Sequence, residues 1–512
     1  MEVGGWPLEG EFETVGDAFG AAGEQFADVD AYVSGADRLS YAGWVAAADA
    51  VAAELEARGV GAGDVVALLL PSSIDYAIGY AAAVRLGAVA TGLNTRLGPR
   101  ETAAIFARCA PRAVICDSGA PVPALPPGTV RLDRAEVASL RSGGTARPRG
   151  RRSRPDEPVT IIWTSGTTGE PKGAWFDHRN LLALARAAGI TSAPFDRKLV
   201  ATPFAHAGYM AKLWDQVATA ATLVICPVPW SAPEMARLVR SERITVTGGA
   251  PTQWAKLLDV LEVEGGDPPA LRAGLVATAP APPALIERAT RVLGCPLVVR
   301  YAMTESPSIS GTEPDDDLDV KTGTVGRPQV GVEVAVVDGE GEPVPQGELG
   351  EVRVRGGCVM RGYWNSPELT AQVLSADGWL RSNDTGYLDP AGNLVVVGRS
   401  NEMYIRGGYN IYPLEVENVL LEHPEVDEVG IVGAPAPVIG EVGVAFVVPR
   451  DPRHPPTTDA VRQWVRERLA DYKAPDEVRI VDGLPRTTMM KLDRAALRER
   501  VNTEPPVRTV AR

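Results

Sequence analysis

Histidine and cysteine are scarce in this 512-residue chain, at four and five copies. The cysteines (Cys109, Cys116, Cys226, Cys295, Cys358) are scattered, odd in number and form no C-x-x-C. His178, His206, His423 and His454 lie far apart. A zinc site and a disulfide framework are therefore not expected, and a reducing cytoplasm fits. No apolar run reaches the roughly 18 residues a membrane helix needs, so no membrane span is expected. Residues 1–13 are acidic and lack the basic-then-apolar pattern of a secretory signal. Positive charge is in deficit too: 51 Lys and Arg against 65 Asp and Glu leave a net charge of −14. That balance excludes general binding to nucleic acid or anionic membrane but leaves room for a local basic pocket. Neither an internal repeat nor a lipidation signal is present.

What is there begins with ordinary globular composition, 23% charged and 45% hydrophobic, in a chain long enough for two or three domains. One stretch organises the rest: Ile161-Ile162-Trp163-Thr164-Ser165-Gly166-Thr167-Thr168-Gly169-Glu170-Pro171-Lys172-Gly173. It reads as a strand from Val159 to Trp163 that breaks into a loop of glycine and small hydroxyl residues. Glycine lets backbone approach an anion, and N–H groups, hydroxyls and one lysine supply donors and positive charge. The loop suits phosphate. It is not the Walker loop, because the glycine-to-lysine spacing differs and Gly173 follows Lys172.

Upstream, strand and helix patterns alternate. Residues 40–60 read as a helix with Ser40 as N-cap and Gly59 as its stop. Residues 64–71 read as a buried strand, 72–86 as a helix, 87–90 as a strand; Pro99 opens another helix and 113–116 form another strand. This alternation predicts βαβ units and a mostly parallel sheet, with Tyr76 and Tyr80 as core. Residues 117–158, with Arg147, Arg149, Arg151, Arg152 and Arg154, read as a solvated connector rather than an anion or partner site. Asp177 caps a helix over 178–188. The segment 202–210, Thr-Pro-Phe-Ala-His-Ala-Gly-Tyr-Met, follows a strand and suits a pocket wall, with His206 either lining it or structural. Residues 245–251, 275–282 and 298–305 are further strand-to-loop transitions of the kind that together form a ligand crevice in open α/β sheets. From Gly323 onward, short strands at 331–338, 350–355 and 393–397 predict an antiparallel β subdomain or barrel. Residues 401–512 then read as a small α+β module with helices at 413–422, 458–470 and 492–501 and strands at 426–432, 441–448 and 477–481, so the domain boundary is placed near Asn401.

Five segments, 164–173, 301–305, 379–389, 398–417 and 485–491, stand in an order that resembles the acyl-adenylate-forming superfamily, in its acyl-CoA synthetase, AMP-dependent ligase branch. The first and fourth are the most specific, and the resemblance runs from about residue 12 to 500. It implies an acetyl-CoA synthetase-like fold: a large α/β N-terminal domain, residues 1–400, of two sheet–helix subdomains plus a β-barrel, and a small mobile α+β lid, residues 401–512. It implies ATP-dependent activation of a small-molecule carboxylic acid to an acyl-adenylate with release of pyrophosphate, then transfer to coenzyme A, with Mg²⁺ bound. Such chemistry needs no side-chain nucleophile, which fits the absence of a serine or cysteine triad.

Residue roles follow from the same resemblance. Thr164, Ser165, Gly166, Thr167, Thr168, Gly169 and Lys172 would hold the β- and γ-phosphates. Tyr301 would stack on adenine in a pocket lined by Ala279, Pro280 and Ala281. Thr304 would contact the α-phosphate and Glu305 would help bind Mg²⁺. Asp384 would accept from the ribose hydroxyls, supported by Arg399. Lys491 would bridge substrate carboxylate and α-phosphate; with Thr304, Glu305 and His206 it makes up the expected catalytic set. Asn401 matches the hinge, and Gly408 matches the glycine beside which the pantetheine arm passes. Four positions depart from the pattern: Ala302 after the tyrosine, Ser382-Asn383-Asp384, Met490 before the lysine, and Thr278-Ala279-Pro280 in place of Gly-Gly-Ala. The segment starting at Phe204 carries no Asp to hold an α-amine, which disfavours an amino acid, and many Ala and Gly positions suggest a bulky apolar or aromatic acid in specialised metabolism. Left open are an acyl-AMP ligase serving a carrier protein or second enzyme, a non-catalytic relative, an oxidative luciferase, and a homodimeric assembly.

Overall fold

The computed structural model describes residues 5–120, 122–123, 125–143, 146–148, 153–165, 171–277, 282–399, 402–406, 409–436, 439–487 and 491–503. Two large sheets form its body. A seven-stranded sheet has the inner order Pro171–Asp177, Pro158–Ser165, Val89–Gly92, Val65–Leu69, Ala113–Cys116, Val130–Asp133, with the short strand Gly362–Tyr363 on one edge. A nine-stranded sheet runs through Leu297–Met303, Ala273–Val276, Val246–Gly249, Arg197–Val200 and Thr222–Ile225 in adjacent order. The strands from Val65 to Asp133 pair in parallel, as the alternating pattern predicts.

Local chemistry sets the helices between them. Ser40 Oγ accepts from Gly43 N at 3.2 Å and starts Tyr41–Ala57, and Gly59, at φ +84°, turns the chain away. Ser73 caps Ile74–Leu86, and Asp177 caps His178–Arg186 with a reciprocal bond from Asn180. Tyr76 and Tyr80 are buried in the core, as expected.

Three readings are corrected. The strand after the phosphate loop is absent from the sequence reading: Pro171–Asp177 folds back antiparallel on Pro158–Ser165, setting Thr164 opposite Lys172. The supposed connector 117–158 contains strand Val130–Asp133 and helix Arg134–Gly143. Its Arg147 and Arg154 are exposed, while Arg149, Arg151 and Arg152 lie outside the described residues. Finally, Phe204, Tyr209 and Met210 do not face a pocket but are core residues: Phe204 stacks on Tyr209 at 3.7 Å, and Tyr80 Oη donates to the Met210 carbonyl at 2.6 Å.

Val332–Val337, Gly350–Gly356, Leu380–Leu388 and Leu394–Arg399 form a four-stranded antiparallel sheet in that order. The remaining sheet has Gly440–Pro449 between Val426–Ala436 and Tyr404–Arg406, with Glu477–Ile480 paired to it, covered by Pro413–Leu421 and Thr458–Arg466 around Val416, Leu420, Ile431 and Val465. Among the described residues no helix is long and apolar enough to cross a membrane.

Candidate active site

The two large sheets meet where several strands end. Ser72 Oγ accepts from Phe204 N at 3.0 Å, joining the loop before one helix to the 202–206 loop of the other sheet. Gly92, the last residue of its strand, makes room for that loop: a Cβ there would overlap Tyr76 Oη and press on Ala205.

The expected residues are held in three groups. In the first, Lys172 Nζ lies 5.6 Å from the centre of the Tyr363 ring, and Tyr363 Oη donates to Glu305 Oε1 at 2.8 Å. Glu305 is buried, and its carbonyl accepts from Met360 N at 2.8 Å. Pairing of Gly362–Tyr363 with Trp175 and Ala174 fixes Tyr363 in this place. Burial, with the Glu305 charge beside it, pushes the Tyr363 phenol well above its usual value, so it remains a donor. Thr304, half-buried, occupies the turn beside Glu305.

In the second group, strand register does the positioning. Asp384 stands directly opposite Arg399, and Arg399 Nε donates to Asp384 Oδ1 at 3.1 Å. Tyr301 Oη donates to the other carboxylate oxygen. Burial raises the Asp384 pKa against the opposing pull of Arg399 and Tyr301. Asn383 explains one departure from the family pattern. It sits at φ +61°, a left-handed conformation that glycine and asparagine adopt at least cost.

The third group brings in the C-terminal sheet. Thr487 N donates to the Lys491 carbonyl at 2.8 Å, and the bridge between Arg486 and Leu492 closes the loop around them. Arg494 anchors this loop, donating to Glu402 Oε2 at 2.7 Å and to both oxygens of Glu417 at 2.6 and 2.8 Å. The residue Lys491 is exposed, and its ammonium end is the crowded part. Burial there and the Arg399 charge lower its pKa, while Glu305, Asp384 and Glu402 pull the other way. The charges of both preceding groups thus act on this lysine.

The charge of the same ammonium acts on His206. Burial, then the Lys491 charge, brings its pKa down to about 4. Its Nδ1 accepts from Gly208 N at 3.3 Å, so the neutral ring carries its proton on Nε2. Gly208, Gly248, Gly249, Ala250 and Ala277 are open to varying degrees nearby in the chain order expected of a pocket wall, and Ala302 is exposed. Trp254 instead is core, its Nε1 donating to the Leu275 carbonyl at 2.8 Å.

Gly166, Thr167, Thr168, Gly169, Ala279, Pro280, Ala281, Asn401, Gly408 and Met490 lie outside the described residues, and Ser165 is placed by its backbone alone, opposite Pro171. Tyr363 and Arg494 were missed from sequence; the Gly-Tyr-Trp run at 362–364 and a lone arginine three residues past Lys491 were the available signals. For Mg²⁺, the described residues hold no cluster of three or more potential ligands. Glu305 alone fits the way this ion is usually held, by one or two carboxylates with phosphates and water completing the shell.

With this geometry in place, comparison with known proteins is direct. The AMP-binding enzyme family model matches residues 19–364, and the model for its C-terminal domain matches residues 415–491. A feruloyl-CoA synthase from Amycolatopsis sp. is 36% identical over 91% of this chain and 94% of its own. A Rhodococcus jostii ligase, named for joining a methyl-dioxo-octahydroindenyl propanoyl group to CoA, is 32% identical over 95% and 98%. The ATP-bound crystal structure of MatB from Rhodopseudomonas palustris superposes with a TM-score of 0.84 at 29% identity, covering 94% of this chain and 98% of that one.

Proposed function

The chain belongs to the AMP-binding enzyme family and is an AMP-forming acid–CoA ligase, and on that premise we propose how its residues divide the work. Its substrates are a small carboxylic acid, ATP with Mg²⁺, and coenzyme A. The acid's carboxylate oxygen attacks the α-phosphorus; the bond to the β-phosphate oxygen breaks, and pyrophosphate leaves with the electron pair. The thiolate sulfur of coenzyme A then attacks the acyl carbon, and AMP leaves. Both halves are carried by positioning and by charge held ready in place.

The observation that carries the assignment of residues is that Tyr301 and Glu305, on one strand and the turn after it, tie Asp384 and Arg399 on one side to Tyr363 and Lys172 on the other. Lys491 draws the two reacting anions together. Lys172, with Thr164, Ser165 and the loop between them, holds the outer phosphates, and Thr304 meets the α-phosphate. Glu305, steadied by Tyr363, offers its carboxylate to Mg²⁺, which would neutralise phosphate charge when bound. Asp384 keeps lone pairs free for the ribose hydroxyls beyond those used by Tyr301 and Arg399. His206, neutral above about pH 4, presents Nε2–H to the acid. Residues 401–512 form the lid, turning about Asn401 to bring Gly408 to the pantetheine arm, in a cytoplasmic enzyme that acts on a bulky apolar or aromatic acid.

A panel of carboxylic acids scored by pyrophosphate release, with and without coenzyme A, tests this reading. Release that depends on acid, with acyl-CoA formed only when coenzyme A is added, is the expected result. Acyl-AMP as the sole product in both arms would move the acceptor to a carrier protein or second enzyme.

A further inference from the structure

One aromatic side chain touches both charges assigned to the phosphates and their cation. Strand pairing puts it there. Tyr363 lies opposite Ala174, and Ala174 is two residues from Lys172 on one strand, so Tyr363 and Lys172 share a face of the sheet as diagonal neighbours. Lys172 Nζ accordingly stands 5.6 Å from the centre of the Tyr363 ring, within the range at which an ammonium is drawn to an aromatic face. At the far edge of the same ring, Oη donates to Glu305 Oε1 at 2.8 Å.

The segment that carries the ring is clamped on both sides. Arg361 N and Trp364 N donate to the carbonyls of Trp175 and Gly173 at 3.0 and 2.7 Å, which fixes it to the strand of Lys172. Met360 N donates to the Glu305 carbonyl at 2.8 Å, which fixes it to the turn of Glu305. Tyr363 N donates to Thr370 Oγ1 at 2.9 Å, on the helix Pro367–Val373. The buried ring is thus held from three elements at once.

The two charges it touches are uncommitted. Among the described residues, Lys172 and Glu305 form no ion pair, with each other or with any other group. Opposite charges away from bulk water ordinarily pair, because an unpaired one is costly. A phenol satisfies both without cancelling either. Its O–H gives one carboxylate oxygen a hydrogen bond, and its π face attracts the ammonium while carrying no net charge. Phenylalanine could do only the second, and leucine neither.

We propose that Tyr363 is a positioning residue that keeps Lys172 and Glu305 apart and charged, the lysine for the outer phosphates and the carboxylate for Mg²⁺. This rests on the adenylation reading above and deepens it, since Tyr363 acts through two residues that reading already uses. Without the hydroxyl, Glu305 loses the bond that aims it. Without the ring as well, Glu305 and Lys172 close on each other, and both are withdrawn from the nucleotide.

ATP binding to the full-length protein, measured by calorimetry with Mg²⁺ and with EDTA, tests this. Tyr363→Phe should leave metal-free ATP affinity within about twofold of the parent and cut the tightening caused by Mg²⁺ by about tenfold, as removal of a partner that orients a metal-binding carboxylate usually does. In turnover, the Mg²⁺ concentration for half-maximal pyrophosphate release should rise in this variant while KM for the acid stays unchanged. Tyr363→Leu should weaken metal-free ATP binding too, by about tenfold, the effect of one charge-assisted hydrogen bond. Adding Glu305→Gln to Tyr363→Leu should restore that metal-free affinity by releasing the captured lysine, a rescue that a merely structural role does not give. Thermal unfolding checks each variant, and Tyr363→Phe, which keeps the ring, carries the test if Tyr363→Leu does not fold. A wild-type response to Mg²⁺ in Tyr363→Phe, or weak ATP binding in Tyr363→Leu that Glu305→Gln does not restore, would overturn this inference and leave adenylation standing. A parent protein that binds no ATP, with or without Mg²⁺, would overturn both.

Discussion

At the level of single side chains, the chemistry turns on charge left uncommitted. Arg399 and Arg494 are spent on carboxylates, whereas the Lys491 ammonium has no acceptor among the described residues and feels charges of both signs. Lys491→Ala should therefore lower the pyrophosphate-releasing step by about 10²–10³, the usual effect of deleting one preorganised donor, with KM for ATP little changed. Thioester formation from supplied acyl-AMP should survive; loss of both steps alike would remove Lys491 from its assigned role. Histidine sets a second expectation. His178 is buried, with Nδ1 accepting from Val15 N at 3.1 Å, and burial brings its pKa down to about 4. The fold thus holds the neutral ring, while the unfolded chain takes up a proton below its ordinary pKa of about 6.5. Stability from this residue is complete above that pH and is lost as pH falls toward 4, on the order of 3 kcal/mol in all. Denaturant unfolding between pH 7 and pH 4.5 should show that loss, and His178→Gln should flatten the slope.

Elements were legible wherever the chain carried its own punctuation. Ser40, Gly59 and Asp177 mark helix ends by local hydrogen bonds and a positive φ, and the apolar run 113–116 is a strand to the residue. The strands that carry the site were harder. Pro171–Asp177 contains Pro and Gly and exists only through pairing with Pro158–Ser165. Leu380–Leu388 bears Ser382, Asn383 and Asp384, polar residues that interrupt a strand pattern, and Asn383 takes the φ of a turn even inside the strand. The opposition of Asp384 and Arg399 is a fact of register, which no local pattern reveals. The resemblance supplied those residues; it could not supply Tyr363 or Arg494, whose partners come from distant strands. Arg494 offers the test at this scale. It joins the helix Arg494–Thr503 to Glu402 and to buried Glu417, and although burial pulls its pKa down, these carboxylates hold it far up. Arg494→Met would leave Glu417 without its cation, and losing one partner of a buried pair costs about 3–5 kcal/mol. A fall in the midpoint of thermal unfolding of the C-terminal sheet, together with slower pyrophosphate release, is the expected outcome; a variant as stable as the parent would show that Ile431 N, which donates to Glu417 Oε1 at 2.7 Å, suffices alone.

Over the whole molecule, the proposed function asks for two arrangements of residues 401–512, one for each half-reaction. In the structure the charges of Glu305 and Asp384 act on Lys491 and that of Lys491 acts on His206, an arrangement suited to the proposed attack of the carboxylate on phosphorus. The contact that holds the arrangement is thin. Asn418, Leu421 and Glu422, on and just past the helix Pro413–Leu421, face Pro282, Pro283, Thr322 and Gly323 across a void of about 130 Å³. Loosely filled contacts between parts of one chain favour relative motion. Asn401 lies between Arg399, the last residue of its strand, and Glu402, which is tied to Arg494, so turning there would carry Lys491 away without disturbing either sheet. Proline fixes φ near −65° and removes the N–H, which restricts that turn. Asn401→Pro should therefore leave one half-reaction within about threefold of the parent and slow the other by about a hundredfold or more, a separation of roughly 2 kcal/mol in activation free energy. Pyrophosphate release and thioester formation from supplied acyl-AMP, measured separately in single-turnover reactions, distinguish the cases. A variant that retains adenylation and loses thioester formation is locked in the arrangement seen here. The opposite pattern means that proline favours the other pose, and equal loss of both would mean that the chain does not turn at residue 401.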